Sequence, residues 1–238
     1  RFFRFFAWYG HGRRDGDAIR AIVRLKDGVG QLSAERVWSE LKKLLSAPDP
    51  SRALLWMRQS GVLTDVLPES GKWGIDLIHS LVRTERDHGW APDPMLPLES
   101  IVPPYDTRMK ELAARLRLSK AEATRLENWA TSGEAKAGRT DKILALDLYR
   151  GDRQGIYDRL KLALASSTEK SDSKSADSLL RQIAFTENWD RPVFPLSGAD
   201  MLARGLEAGP EVGRRLKQLE EKWVASGFTL GKAQLLDS

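Results

Sequence analysis

The sequence predicts an all-α protein, an elongated array of helices in several units. Apolar residues recur at helical spacing almost everywhere. No stretch holds the strict alternation of a half-buried strand. The punctuation is also that of helices, with N-caps, prolines at first turns and glycines at ends. Ten or more helices are expected in the 238 residues.

The elements follow in chain order. The chain opens on Arg1-Phe2-Phe3-Arg4-Phe5-Phe6 with no cap or turn, which reads as the inside of a helix and hence as a fragment. Phe2, Phe3, Phe5, Phe6, Trp8 and Tyr9 could stack bases, with Arg1 and Arg4 on phosphates. An aromatic run on a helix is more often core, and core is the preferred reading. Ser33 precedes a helix whose stripe is Val37, Leu41, Leu44 and Leu45. Asp49-Pro50 reads as an N-cap followed by proline at the first helical position, and Gly61 as the end of that helix. Pro92, Pro94, Pro97, Pro103 and Pro104 cut the middle into short pieces.

Ser119 and Glu122 form a capping box ahead of a helix to about Ala130. Residues 131–140 are small and polar, a loop. Residues 166–175 are low-complexity and charged, and are expected to be a mobile loop. Ala176, Leu179, Leu180, Ile183 and Ala184 mark the next helix. Gly209-Pro210 starts the last long one, with Val212, Leu216, Leu219 and Trp223 on one face. The expected units are 1–67, 68–170 and 171–238.

Composition narrows the function. Cysteine is absent, which excludes a disulfide scaffold and thiolate metal sites. No stretch approaches about 20 uncharged apolar residues, so no membrane partner is expected, and a cytoplasmic protein is the default. Residues 1–60 hold twelve Lys/Arg against six Asp/Glu, while the other 178 hold twenty-six against twenty-seven. The whole positive excess therefore lies at the N-terminal end, where it would attract a polyanion.

Catalytic motifs are sparse. There is no GxxxxGK[ST] loop and no GxGxxG after a strand. Asp15-Gly-Asp17 could hold Mg²⁺ only if a strand fixed both carboxylates, and here an N-cap with favourable dipole charge is the simpler reading. Histidines stand only at 11, 79 and 88. Asp76, His79, Glu85, Asp87 and His88 lack the pattern of a converging metal site, and none is expected.

Several segments together resemble one family. RFFRFFAWYG resembles the end of the neck helix that follows the EDxxR motif of the class II tRNA nucleotidyltransferases, a group including CCA-adding enzymes and bacterial poly(A) polymerases. Residues 32–69, LSAERVWSELKKLLSAPDPSRALLWMRQSGVLTDVLPE, resemble the neck RNA-binding segment, with the ERxxxE motif as Glu35, Arg36 and Glu40. Residues 194–230 resemble the tail signature, with Gly198, Asp200, Gly205, Gly209, Pro210 and Gly213 at the family's spacing. The middle, 71–165, is similar only in helical style and in stretches such as KWGIDLIHSLVRTERDHGW.

The resemblance implies neck, body and tail without the catalytic head. The missing head is then this chain's partner, and the chain alone is expected to be inactive, with no catalytic residue and no metal or cofactor of its own. Mg²⁺ and CTP or ATP are implied for the parent enzyme, which would add CCA or poly(A) to RNA 3′ ends. Glu35, Arg36 and Glu40 would brace the nucleotide-binding end of the neck, and Arg36 and Glu40 stand at i,i+4. The implied partner is RNA, above all the acceptor and T-arm of tRNA. Candidate contacts are Arg13, Arg14, Arg20, Arg24, Lys42 and Lys43, and in the tail Gly209, Gly213, Arg214, Arg215 and Lys217, where helix N–H groups could take a phosphate. The rival expectations are a helical scaffold that binds protein and not RNA, or a helical metal-dependent phosphohydrolase.

Overall fold

In the computed structural model, residues 1–10, 16–71 and 73–238 are described. They form fifteen α-helices and two short 3₁₀ turns, with no strand among the described residues. The all-α expectation therefore holds. Helices α1 (Phe2–Tyr9), α2 (Gly16–Leu25), α3 (Ala34–Leu45), α4 (Ser51–Gln59) and α5 (Val62–Val66) come first. The middle holds α6 (Leu77–Asp87), α7 (Met95–Ile101), α8 (Asp106–Arg115), α9 (Lys120–Thr131), α10 (Asp141–Arg150), α11 (Arg153–Glu169) and α12 (Ser173–Asn188). The chain closes with α13 (Gly198–Ala203), α14 (Pro210–Ala225) and α15 (Lys232–Leu236).

Three apolar cores hold these helices, and single helices link them. The first core takes Phe3 of α1, Trp38, Leu41, Leu44 and Leu45 of α3, and continues through α9. Leu162 and Ala165 of α11 join it, whereas Ile156, Leu160 and Leu164 of the same helix face the second core with α10 and α12. Leu148 of α10 lies in the second core, and its neighbour Tyr149 lies in the third with Leu219 and Trp223 of α14. One helix serves two cores because its apolar residues occupy two sides. The exposed surface is 13320 Å². A compact monomer of 26.7 kDa would expose about 10,700 Å², so the array is elongated.

The local signals act as the residues dictate. Ser119 and Glu122 complete the capping box of α9. Pro210 sits in the first turn of α14. Pro97 is tolerated inside α7 because it is the third residue of that helix, where no intrahelical N–H bond is lost. Gly61 follows α4 with φ +81°, a conformation that other residues adopt at a cost.

Three expectations are corrected. Helix α4 begins at Ser51, not Pro50, and the Asp49 carboxylate accepts from the Ser51 backbone N–H at 3.0 Å. The loop expected at 166–175 is mostly helix: α11 runs to Glu169, and Asp172 caps α12 by accepting from the Ser175 N–H. Polar composition there marks solvated helix ends. The aromatic run divides: Phe3 is buried and Phe2 and Phe6 pack on the core, but Phe5, Trp8 and Tyr9 are exposed.

Candidate nucleic-acid interface

The charged residues of the N-terminal region separate by partner. Glu35 and Arg36 sit in the first turn of α3, and Glu40 lies just over a turn later. The i,i+4 spacing of Arg36 and Glu40 suggests a pair, yet Glu40 is taken by Arg4 of α1, whose Nε donates to it at 2.7 Å. This bond and the nearby positive charge outweigh burial, which pushes the group up, and leave the Glu40 carboxyl below its ordinary range. Glu35 meets Arg117 at 3.2 Å. Arg36 is exposed and has no ion pair among the described residues. These side chains edge a groove of about 610 Å³ between α1 and α3, floored by Phe3, Leu41 and Leu44.

The adjacent lysines of α3 differ. Lys42 Nζ lies 2.7 Å from the Glu122 carboxylate on α9. Burial pushes Glu122 up, but hydrogen bonds from Lys42, Ser119 and Trp38 outweigh it and bring the group down to about 2. Trp38 Nε1 donates to the same carboxylate at 3.2 Å. Lys43 is exposed with no ion pair among the described residues, and its carbonyl accepts from Trp8 Nε1 at 2.7 Å. On α2, Arg20 pairs with Asp17, and Arg24 is exposed without an ion pair among the described residues. Arg13, Arg14, His11 and Asp15 lie outside the described residues, so the Asp15–Asp17 pattern is seen only at Asp17, in the first turn of α2.

In the tail, Ser197 and Asp200 make a capping box for α13, and Asp200 also meets Lys232 at 2.6 Å. The Lys232 ammonium and the Ser197 bonds hold Asp200 down at about 2. Gly205 turns the chain with φ +90°. Gly209 precedes α14, and a Cβ at Gly209 or Gly213 would meet nothing within 4 Å. The backbone at both is therefore open to an approaching group. Arg214 pairs with Glu211, Arg215 donates to the Ser238 carbonyl at 3.0 Å, and Lys217 is exposed.

His79 and His88 are exposed, and His88 stacks on Trp90 at 5.6 Å. Among the described residues no group of three His, Asp or Glu side chains could hold a metal, and no helix is long and apolar enough to cross a membrane. Arg4, Arg117 and Lys232 hold members of these charge clusters; the sequence offers Arg4 only as a phosphate contact, and Arg117 and Lys232 not at all. Their partners lie 36, 82 and 32 residues away, beyond the reach of any local pattern.

Comparison with known proteins adds a second kind of observation. Residues 15–72 match the family described as the probable RNA and SrmB-binding site of polymerase A. The mitochondrial CCA tRNA nucleotidyltransferase 1 of Mus musculus is 28% identical over 243 residues, covering 99% of this chain and 54% of the mouse protein. Those of Homo sapiens and Danio rerio are 27% and 25% identical over 99% and 100% of the chain. The chain spans about half the length of these relatives.

Proposed function

We infer, for a chain related end to end to the tRNA nucleotidyltransferases, that its work is to hold RNA, specifically the acceptor and T-arm side of a tRNA. One coincidence supports this best. The segment that matches an RNA-binding family, residues 15–72, overlaps the basic first 60 residues, and in the overlap Arg24, Arg36 and Lys43 stand exposed without ion pairs among the described residues. Cations fixed on helices suit recognition by shape and backbone.

In this reading Arg13, Arg14, Arg20, Arg24, Lys42 and Lys43 contact phosphates. Lys43 and Arg24 contribute most, because Lys42 is held by Glu122 and Arg20 by Asp17. Glu35, Arg36 and Glu40 brace the end of the neck that faces a nucleotide, with Arg4 locking Glu40. Gly209 and Gly213 offer backbone amides to a tail phosphate, and Arg214, Arg215 and Lys217 add charge. The parent enzyme would use Mg²⁺ and CTP or ATP to extend an RNA 3′ end. We assign the transfer step to a catalytic head outside this chain. A cytoplasmic location is part of the proposal, although the three relatives are mitochondrial by name.

The test is a titration of intact tRNA, an acceptor–T-arm minihelix and an anticodon-arm hairpin. The proposal expects tRNA and minihelix to bind alike and the hairpin to bind much more weakly. Equal binding of all three would remove the tRNA-arm assignment, and no binding of any would favour a protein scaffold.

A further inference from the structure

We propose that the exposed side of α1 is a stacking platform for an unpaired RNA strand. The proposal rests on the reading that this end of the chain holds RNA, and adds a single-stranded element to it. The eight residues of α1 divide between two sides. Phe2, Phe3, Phe6 and Ala7 pack on the first core, whereas Phe5, Trp8 and Tyr9 are 51%, 43% and 67% exposed. Positions i, i+3 and i+4 of a helix are neighbours, so these three rings share one face. Apolar side chains scattered singly on a surface need no explanation, but contiguous aromatics on one short helix mark a contact site.

The rings are held in place. Trp8 Nε1 donates to the Lys43 carbonyl at 2.7 Å, so the indole has no donor left and offers its π surface. The Arg4 guanidinium lies over the Phe5 ring at 4.4 Å, and its own Nε is bonded to Glu40 at 2.7 Å. Tyr9 stands beside Phe5, with ring centroids 6.1 Å apart. Side chains fixed in this way lose little freedom when a base stacks on them.

Charge selects the occupant. Lys43, whose carbonyl holds the indole, is exposed and has no ion pair among the described residues. The Arg1 side chain, four residues before Phe5, is 73% exposed. The two acids of α3 are already engaged, Glu40 by Arg4 and Glu35 by Arg117, and α1 itself has none. The face therefore joins aromatic surface to uncompensated positive charge, the combination that binds single-stranded nucleic acid. An apolar protein surface would cover the rings and leave the cations without partners. A base-paired stem keeps its bases inside the helix, so only an unpaired strand can use the rings. Stacking of this kind gives little preference between bases, because every base has a π face.

The experiment titrates the 238-residue chain into three labelled RNA octamers at low salt, with fluorescence anisotropy as the readout. The strands are octa-adenylate, octacytidylate and an abasic strand of the same charge. Both base-bearing strands should bind about fivefold or more tightly than the abasic one, the low end of what one stacked base contributes. Trp8→Ala, and Phe5→Ala with Tyr9→Ala, should each weaken the base-bearing strands by about fivefold or more and leave the abasic strand unchanged. Trp8→Phe should keep most of the advantage, and Trp8→Leu, apolar but not aromatic, should lose it. Should Trp8→Ala fail to fold, the Phe5 and Tyr9 double variant supplies the same test. Base-bearing strands that bind no better than the abasic one would overturn the proposal. So would variants that leave the difference intact, and that result would give the face to a protein partner. A blunt acceptor–T-arm minihelix, titrated alongside, separates this inference from the tRNA reading. A minihelix that binds while the bases add nothing removes the platform alone, and base-dependent binding without minihelix binding removes the tRNA-arm assignment alone.

Discussion

Lys42 and Lys43 are neighbours in sequence, and their replacement by alanine should have opposite consequences. Lys42 is 47% exposed and its partner Glu122 14%. Removing the ammonium leaves a carboxylate with its capping bonds but without its counter-charge. A charge-assisted bond can be worth about 1.5–3 kcal/mol. With the lysine half in water, screening brings the expected loss to about 1 kcal/mol. For a chain of this size that is about 2–4 °C in Tm. The loss must also depend on pH. A carboxyl held below its ordinary 4.5 stabilises the fold above that value, and the contribution fades as pH falls toward about 2. The Tm difference between wild type and Lys42→Ala should therefore be full at pH 7 and shrink below about pH 4.5.

Lys43→Ala breaks no ion pair and should leave stability within about 0.5 kcal/mol of wild type. It should instead flatten the slope of log K for tRNA against log salt by about 0.7–0.9. Thermal melts from pH 3 to 7 and filter binding across a salt series measure both. Equal melting of the two variants, or a flattened slope in Lys42→Ala but not in Lys43→Ala, would refute the division of labour.

Further outcomes follow from the same geometry. Gly213→Ala adds a Cβ in open space and should raise stability by about 0.5–1 kcal/mol, yet weaken tRNA binding by crowding the backbone. Arg214→Glu with Arg215→Glu should change Tm by only a few degrees, since both side chains are anchored at the surface. It should reduce binding of tRNA more than binding of a minihelix without the T-arm. The chain alone, given tRNA, Mg²⁺ and labelled CTP or ATP, should give no extension product.

The helices were legible because helix formation leaves a local record. The stripe of α3, the capping box of α9 and the Gly-Pro entry to α14 each lie within a few neighbouring residues. The pairing of charges leaves no such record. Glu40 and Arg36 have helical spacing, but Arg4 captures Glu40 from another helix because α1 packs beside α3. Glu122 was legible as a cap and not as the acceptor for Lys42 and Trp38, which lie 80 and 84 residues away. The 166–175 stretch misleads because serine and lysine suit a solvated helix end as well as a loop.

The central claim is that the basic end of this chain holds RNA through its phosphates. Its most direct test is the salt dependence of tRNA binding by wild type and by Arg24→Ala with Lys43→Ala. The account predicts binding that weakens steeply with salt, and a slope flatter by about 1.4–1.8 in the double variant, the sum of two phosphate contacts. Binding that ignores salt, or a slope unchanged in the double variant, would contradict it.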